Sequence, residues 1–168
     1  PIVTVTADGP LNFCEGGSVT LTSGSSTNNV WSPNGETTQS IVVTSAGSYS
    51  LTVTNEFGCS TESSSTIVAI YSNPVATITA NGPTTLCFGE SVTLTASASA
   101  NYTWSPNGQT TQSITVLASG DYSVIVTNSN GCTDTSETIH VEVAPELLPP
   151  TVTANGSTNI CQGQNVIF

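Results

Sequence analysis

The sequence contains no lysine, no arginine and no methionine, and it has a single histidine. Without Lys or Arg nothing can clamp a phosphate backbone, which excludes nucleic-acid recognition. Attraction to an anionic lipid surface is excluded on the same ground. No Lys/Arg salt bridge can form either, so stability must come from burial, backbone hydrogen bonds and cross-links. Lysine–asparagine isopeptide cross-links are ruled out, and the chain offers trypsin no cleavage site. No apolar run approaches the roughly 18 residues that a membrane span needs. No segment combines the basic and apolar regions of a signal peptide. The missing methionine leads us to expect an internal or processed piece of a longer product.

What remains is rich in Thr, Ser, Val and Ile, punctuated by Gly, Pro and Asn. β-Branched residues suit pleated strands and the punctuating residues suit turns, so the composition reads as all-β. The formal charge is −11 over 168 residues, with the carboxylates spread singly along the chain. Such a field keeps the molecule soluble and repels its neighbours.

An internal repeat decides the organisation. PIVTVTADGP at Pro1 to Pro10 returns as PVATITANGP at Pro74 to Pro83, and SVTLT at Ser18 returns at Ser91. WSPNGETTQSI from Trp31 returns as WSPNGQTTQSI from Trp104, and GSYSLTVTNEFGC from Gly47 returns as GDYSVIVTNSNGC from Gly120. A third copy opens with TVTANGSTNICQGQNV at Thr151 and is expected to continue past Phe168. The predicted units are residues 1–73, 74–148 and 149–168. Ser72-Asn73-Pro74 and the stretch from Ala144 to Pro150 are the short proline-containing linkers, which favour a semi-rigid rod.

Each copy reads as short strands at sandwich spacing. In the first they are expected near Ile2–Ala7, Ser18–Ser23, Asn28–Trp31, Gln39–Thr44, Ser48–Thr54 and Thr66–Ile70. Val19 and Leu21 alternate with Ser18, Thr20 and Thr22; Tyr49, Leu51 and Val53 alternate with Ser50, Thr52 and Thr54. One greasy face and one Ser/Thr face suit two sheets packed together. Trp31 and Trp104 are the expected core plugs. Tyr49 and Tyr122 stand where a tyrosine corner of an immunoglobulin-like sandwich would.

Each complete copy carries two cysteines at the same places, Cys14 and Cys59, then Cys87 and Cys132. Equal spacing implies one disulfide per copy, Cys14–Cys59 and Cys87–Cys132. Cys161 opens the third copy, with its partner expected beyond the sequence. Such a bridge would close a loop of about 45 residues, worth roughly 4 kcal/mol in the chain-entropy model. Disulfides place maturation outside the cytoplasm.

No catalytic constellation emerges, and no enzyme activity is expected. His140 lies on the parity opposite to Val141 and Val143, facing outward, and lacks an oriented nucleophile or carboxylate in the sequence. A zinc site lacks both its C-x-x-C spacing and a second histidine. Asp8, Asp121 and Asp134 are isolated, and no calcium-loop string exists, although a junction site built partly from backbone oxygens stays open. Neither metal nor cofactor is expected. Asn101-Tyr102-Thr103 and Asn155-Gly156-Ser157 match the glycosylation sequon. Two positions that differ between copies stand out: Asn29 aligns with Tyr102, and Glu15 with Phe88. They are the candidates for copy-specific surface function.

The runs W-S-P-N-G-x-T-T-Q-S-I and G-x-Y-S-[LV]-x-V-T-N-x-x-G-C resemble the immunoglobulin-like repeats of large Bacteroidota surface proteins, in particular SprB-type gliding-motility adhesins. The resemblance implies tandem immunoglobulin-like β-sandwich repeats, type IX secretion and display on the outer surface of a Gram-negative cell. The function it implies is a stalk segment of a long adhesive filament. A glycan- or protein-binding repeat and a spacer in a secreted enzyme are the alternatives. The expected partners are neighbouring repeats of the same chain and other surface or filament proteins, with no nucleic acid and no direct membrane insertion.

Overall fold

The computed structural model describes residues 1–25, 28–153, 159, 161 and 162. Most of the third copy, including the sequon Asn155-Gly156-Ser157, lies outside the described residues.

The described elements are all strands. The first eight are β1 (Val5–Ala7), β2 (Asn12–Cys14), β3 (Val19–Ser23), β4 (Asn29–Ser32), β5 (Ser40–Val43), β6 (Gly47–Thr54), β7 (Ser60–Glu62) and β8 (Thr66–Tyr71). One sheet has the order β1-β3-β5 and its partner the order β2-β8-β6-β4, with β7 also on β6. The next eight repeat the plan: β9 (Ile78–Ala80), β10 (Thr85–Leu86), β11 (Val92–Ala96), β12 (Asn101–Ser105), β13 (Ser113–Val116), β14 (Gly120–Thr127), β15 (Thr133–Thr135) and β16 (Ile139–Val143). They form the orders β13-β11-β9 and β10-β16-β14-β12, with β15 on β14.

The alternation in sequence becomes two faces. Val19, Leu21, Ile41 and Val43 of one sheet meet Trp31, Tyr49, Leu51, Val53 and Val68 of the other in a single buried cluster. A second cluster is built from the equivalent positions around Trp104 and Tyr122. Trp31 and Trp104 are both 1% exposed, and their indole N–H groups donate to the carbonyls of Thr38 (2.9 Å) and Thr111 (2.8 Å). A buried indole with its one donor satisfied fills volume without a polar cost. On the outer face Thr22 pairs with Ser40 and Thr95 with Ser113, hydroxyl to hydroxyl at 2.9 Å.

The Tyr49 hydroxyl donates to the Ser45 carbonyl at 2.9 Å and that of Tyr122 to Ala118 at 3.0 Å. Each spans four residues back along the chain, the geometry of a tyrosine corner. Gly35 and Gly108 take positive φ of 79° and 66° in the turns after the tryptophans. There each glycine N–H returns to a tryptophan carbonyl at 2.7 Å.

Two elements are absent from the sequence-based strands, β2 and β7. Both are three residues long, too short for an alternation to register. β2 matters because it pairs with β8 in parallel, Cys14 opposite Tyr71, whereas β8 and β6 are antiparallel, Gly47 opposite Val68.

Asp8 is not a spare carboxylate. It accepts the Thr20 amide at 2.7 Å, and this bond holds its carboxyl below the usual carboxylate range. Asn81 accepts the Thr93 amide at 2.8 Å in the same place. An amide oxygen therefore does the same work, and Asp8→Asn should leave stability near pH 7 little changed. A depressed folded-state pKa stabilises the fold above the unfolded value, near 4, and the benefit is lost as pH falls through the folded value. In urea titrations, the stability difference between wild type and Asp8→Asn should be constant from pH 7 to about pH 5 and then shift against the wild type in acid. A pH-independent difference would contradict this role.

Candidate functional site at the junction of the two sheet pairs

The disulfide in the structure joins Cys14 to Cys132, with a sequence separation of 118. This corrects the pairing Cys14–Cys59 and Cys87–Cys132 that spacing alone implies. The reason is strand direction. β2 runs parallel to β8, so Cys14 ends level with Tyr71 at one end of the first sheet pair. β6 runs antiparallel to β8, so Cys59, beyond Thr54, lies past the other end. Counted along β6 and β8 at about 3.3 Å per residue, those ends are roughly 30 Å apart. A disulfide needs its Cα atoms within about 7 Å. Cys14 and Cys132 have theirs at 5.6 Å.

The bond belongs to a junction tied at several other points. The Tyr71 carbonyl accepts the Glu15 amide at 2.9 Å. Asn73 donates its amide and its side-chain N–H to Glu15, at 3.4 and 3.3 Å. From the other side, Asn128 Nδ2 donates to the Ser72 carbonyl at 2.9 Å. Asp134 accepts the Ala76 amide at 2.8 Å, and the Ser97 hydroxyl donates to the Val75 carbonyl at 2.8 Å. The linker is thus held by the first sheet pair up to Asn73 and by the second from Ser72 onward. Asp134 is a junction residue, not an isolated acid.

The hairpin loop that brings Cys132 to the junction is shaped before it arrives. Asn128 Oδ1 accepts the amides of Asn130 and Cys132, both at 3.0 Å. Asn55 does the same for Phe57 (3.0 Å) and Cys59 (2.9 Å) in the first copy. Cys132 is only 1% exposed, whereas Cys59 and Cys87 are exposed free thiols. Cys161 is also exposed.

The remaining sequence candidates fall elsewhere. His140 points outward and pairs with Asp121 at 2.7 Å, so Asp121 has a partner after all. Both groups are mostly exposed, where such a pair contributes little. Among the described residues no group of three or more His, Cys, Asp or Glu side chains gathers to hold a metal. Asn29 and Tyr102 are not surface determinants. Asn29 is buried, accepting from the Ser23 hydroxyl and donating to the Ser25 carbonyl. The half-buried Tyr102 hydroxyl accepts the Ser99 amide and donates to its carbonyl. Both side chains anchor the loop that precedes their strand, so divergent residues do one structural job. Glu15 is a junction residue that binds the linker, whereas Phe88 lies away from that junction, 60% exposed beside Cys87. Asn101, of the sequon Asn101-Tyr102-Thr103, is exposed at the start of β12.

No family model matches this sequence, and no curated protein matches it. Solved structures do. Extracellular domains 3–5 of Drosophila OTK match with a TM-score of 0.50 and 13% identity, over 86% of this chain and 62% of that one. Sheet order, tyrosine corner and this likeness agree. The fold is immunoglobulin-like. Murine CEACAM1b (TM-score 0.41, 17% identity) covers 85% of this chain and all of that one. The fibronectin(III)-like modules of Clostridium thermocellum CbhA (TM-score 0.41, 18% identity) cover 89% and all of that one. An immunoglobulin-like fold carrying a disulfide is typical of extracellular proteins. No described helix is long and apolar enough to cross a membrane.

Asn128 and Asn55 provide an internal control for the junction. Both cap their own hairpin, but only Asn128 also bonds the linker. Asn128→Ala should cost about 1 kcal/mol more than Asn55→Ala in chemical denaturation, the worth of one further hydrogen bond. Equal costs would show that the Ser72 contact adds nothing.

Proposed function

We propose that this chain is a segment of a stalk, a series of small immunoglobulin-like repeats that extends a surface adhesin of the gliding-motility type away from the cell. In this reading residues 1–73 and 74–148 are successive repeats and residues 149–168 open the next. The observation that carries the reading is the junction. Short proline-containing linkers leave adjacent domains free to swing unless something fixes them. Here a disulfide and hydrogen bonds from both sides fix the linker, which is what a rod requires and what a mobile tether does not.

The surface chemistry agrees. With 11 carboxylates and no Lys or Arg, parallel stalks repel one another and offer anionic ligands nothing. The core aromatics Trp31, Tyr49, Trp104 and Tyr122 are spent on packing, and among the described residues no group of three or more His, Cys, Asp or Glu side chains gathers. Oxidised cysteines fit export, and the absence of Lys and Arg suits life among proteases.

The test is removal of one copy, residues 74–146, from the parent protein on its native cell. Attachment and gliding should persist, with the filament shorter by roughly 30–40 Å in electron micrographs, the strand-length estimate for one sandwich. Loss of attachment at unchanged filament number would favour a ligand-binding repeat and contradict the stalk.

A further inference from the structure

Cys59 and Cys87 lie at opposite ends of the two sheet pairs, and each stands in the place of one half of the junction described above. Cys87 follows β10 as Cys14 ends β2, beside the end of β16 as Cys14 is beside the end of β8. Around Cys87 the residues Phe88, Ala144, Pro145, Glu146 and Leu147 line an apolar groove of about 400 Å³. Their counterparts in the first copy are Glu15, Tyr71, Ser72, Asn73 and Pro74, of which Ser72 accepts from Asn128 and Tyr71 lies against Cys132 of the hairpin. Phe88 and Leu147 are 60% and 91% exposed. At the opposite end, Cys59 is held in its hairpin by Asn55 as Cys132 is by Asn128. Phe57 beside it is 81% exposed.

We infer that Cys59 and Cys87 are the open halves of the same joint, so that the disulfides of the chain are staggered: the first cysteine of every copy bonds the second cysteine of the next copy, and no copy is closed on itself. The occupant of the groove at Cys87 is the cysteine hairpin of the third copy, whose opening residues start at Thr151. Cys59 takes the first cysteine of a copy on its N-terminal side. The inference rests on the reading of this chain as part of a longer series of repeats.

Three features carry it. The joint is formed once, at Cys14–Cys132, and shows which cysteine faces which. Strand direction puts the two cysteines of each copy at opposite ends, in the second copy as in the first, since Gly120 pairs with Val141 as Gly47 pairs with Val68. Finally, of the bonded pair Cys132 is buried and Cys14 half-buried, whereas Cys59 and Cys87 are both exposed. Forming each bond joins two sulfurs and releases two protons and two electrons. The acceptor is a protein disulfide donor of the thioredoxin-like class, which leaves as the dithiol. Each finished joint is then crossed by two covalent connections, the linker and the disulfide.

Glu-specific proteolysis suits the test, because the sequence places each cysteine on its own peptide: Cys14 before Glu15, Cys59 in residues 57–62, Cys87 in 63–90 and Cys132 in 91–137. The full-length parent protein, shed from its native cell surface, is alkylated without reduction and digested. The expected result links the Cys87 peptide to the second cysteine of the third copy and the Cys59 peptide to the first cysteine of a preceding copy. Bonds within a copy, or alkylated Cys59 and Cys87 in a protein that contains the further copies, would overturn the inference while leaving the stalk reading intact. A mature protein without further copies would overturn both. The variant Cys87→Ser adds a discriminating readout: it should expose one new thiol in the third copy. A new thiol at Cys132 instead would sink the staggered pattern.

Discussion

Everything in this structure follows from the direction of three short strands. β6 and β8 are antiparallel, and β2 lies parallel to β8. The hydrogen-bond ladders of that sheet therefore carry the first cysteine of a copy to one end and the second to the other. No side-chain rearrangement can close a gap of roughly 30 Å, which is about nine residues of strand. A cysteine at the end of a β-sandwich can only meet a cysteine from whatever is stacked on that end. The disulfide thus becomes a property of the junction.

The composition makes that junction matter. A chain with no Lys or Arg cannot bind its domains together with ion pairs. The junction instead uses what a polar, anionic sequence still has: amide and hydroxyl hydrogen bonds from Asn73, Asn128 and Ser97, one carboxylate on a backbone amide at Asp134, and a covalent bond. These contacts lose little to salt screening, unlike surface ion pairs. A loop of 118 residues closed by the disulfide is also worth on the order of 5 kcal/mol in the chain-entropy model. Because the loop spans both cores, unfolding of either sheet pair is coupled to the other. Small sandwiches, each near the size where a core is marginal, gain most from such coupling.

Much of the fold was legible in the sequence. The period-2 alternation of Val19-Leu21 and Tyr49-Leu51-Val53 put the right faces inward, and the two tryptophans are buried with their N–H groups satisfied. The junction was not legible, for a physical reason. Its decisive strand, β2, has three residues, so Asn12-Phe13-Cys14 shows no periodicity, and its parallel pairing with β8 is a long-range fact. Equal spacing of cysteines is satisfied by pairing within copies and by pairing between copies alike. One signal did exist: Cys14 is followed by a turn and then a strand, and Cys59 follows a strand, so tracing strand directions would have separated them. Asn29 misled in the opposite sense, because a polar residue at a divergent position suggests a surface. Here it is buried with both its amide oxygen and its amide nitrogen hydrogen-bonded.

The most direct measurement is a non-reducing digest of this 168-residue chain, oxidised after folding, with a Glu-specific protease and mass analysis of the linked peptides. The account predicts one linked pair, residues 1–15 with residues 91–137, and alkylated thiols on residues 57–62 and 63–90. Residues 1–15 linked to residues 57–62 would contradict it: the strand directions described here would then be wrong, and the disulfide would return to the interior of a single copy.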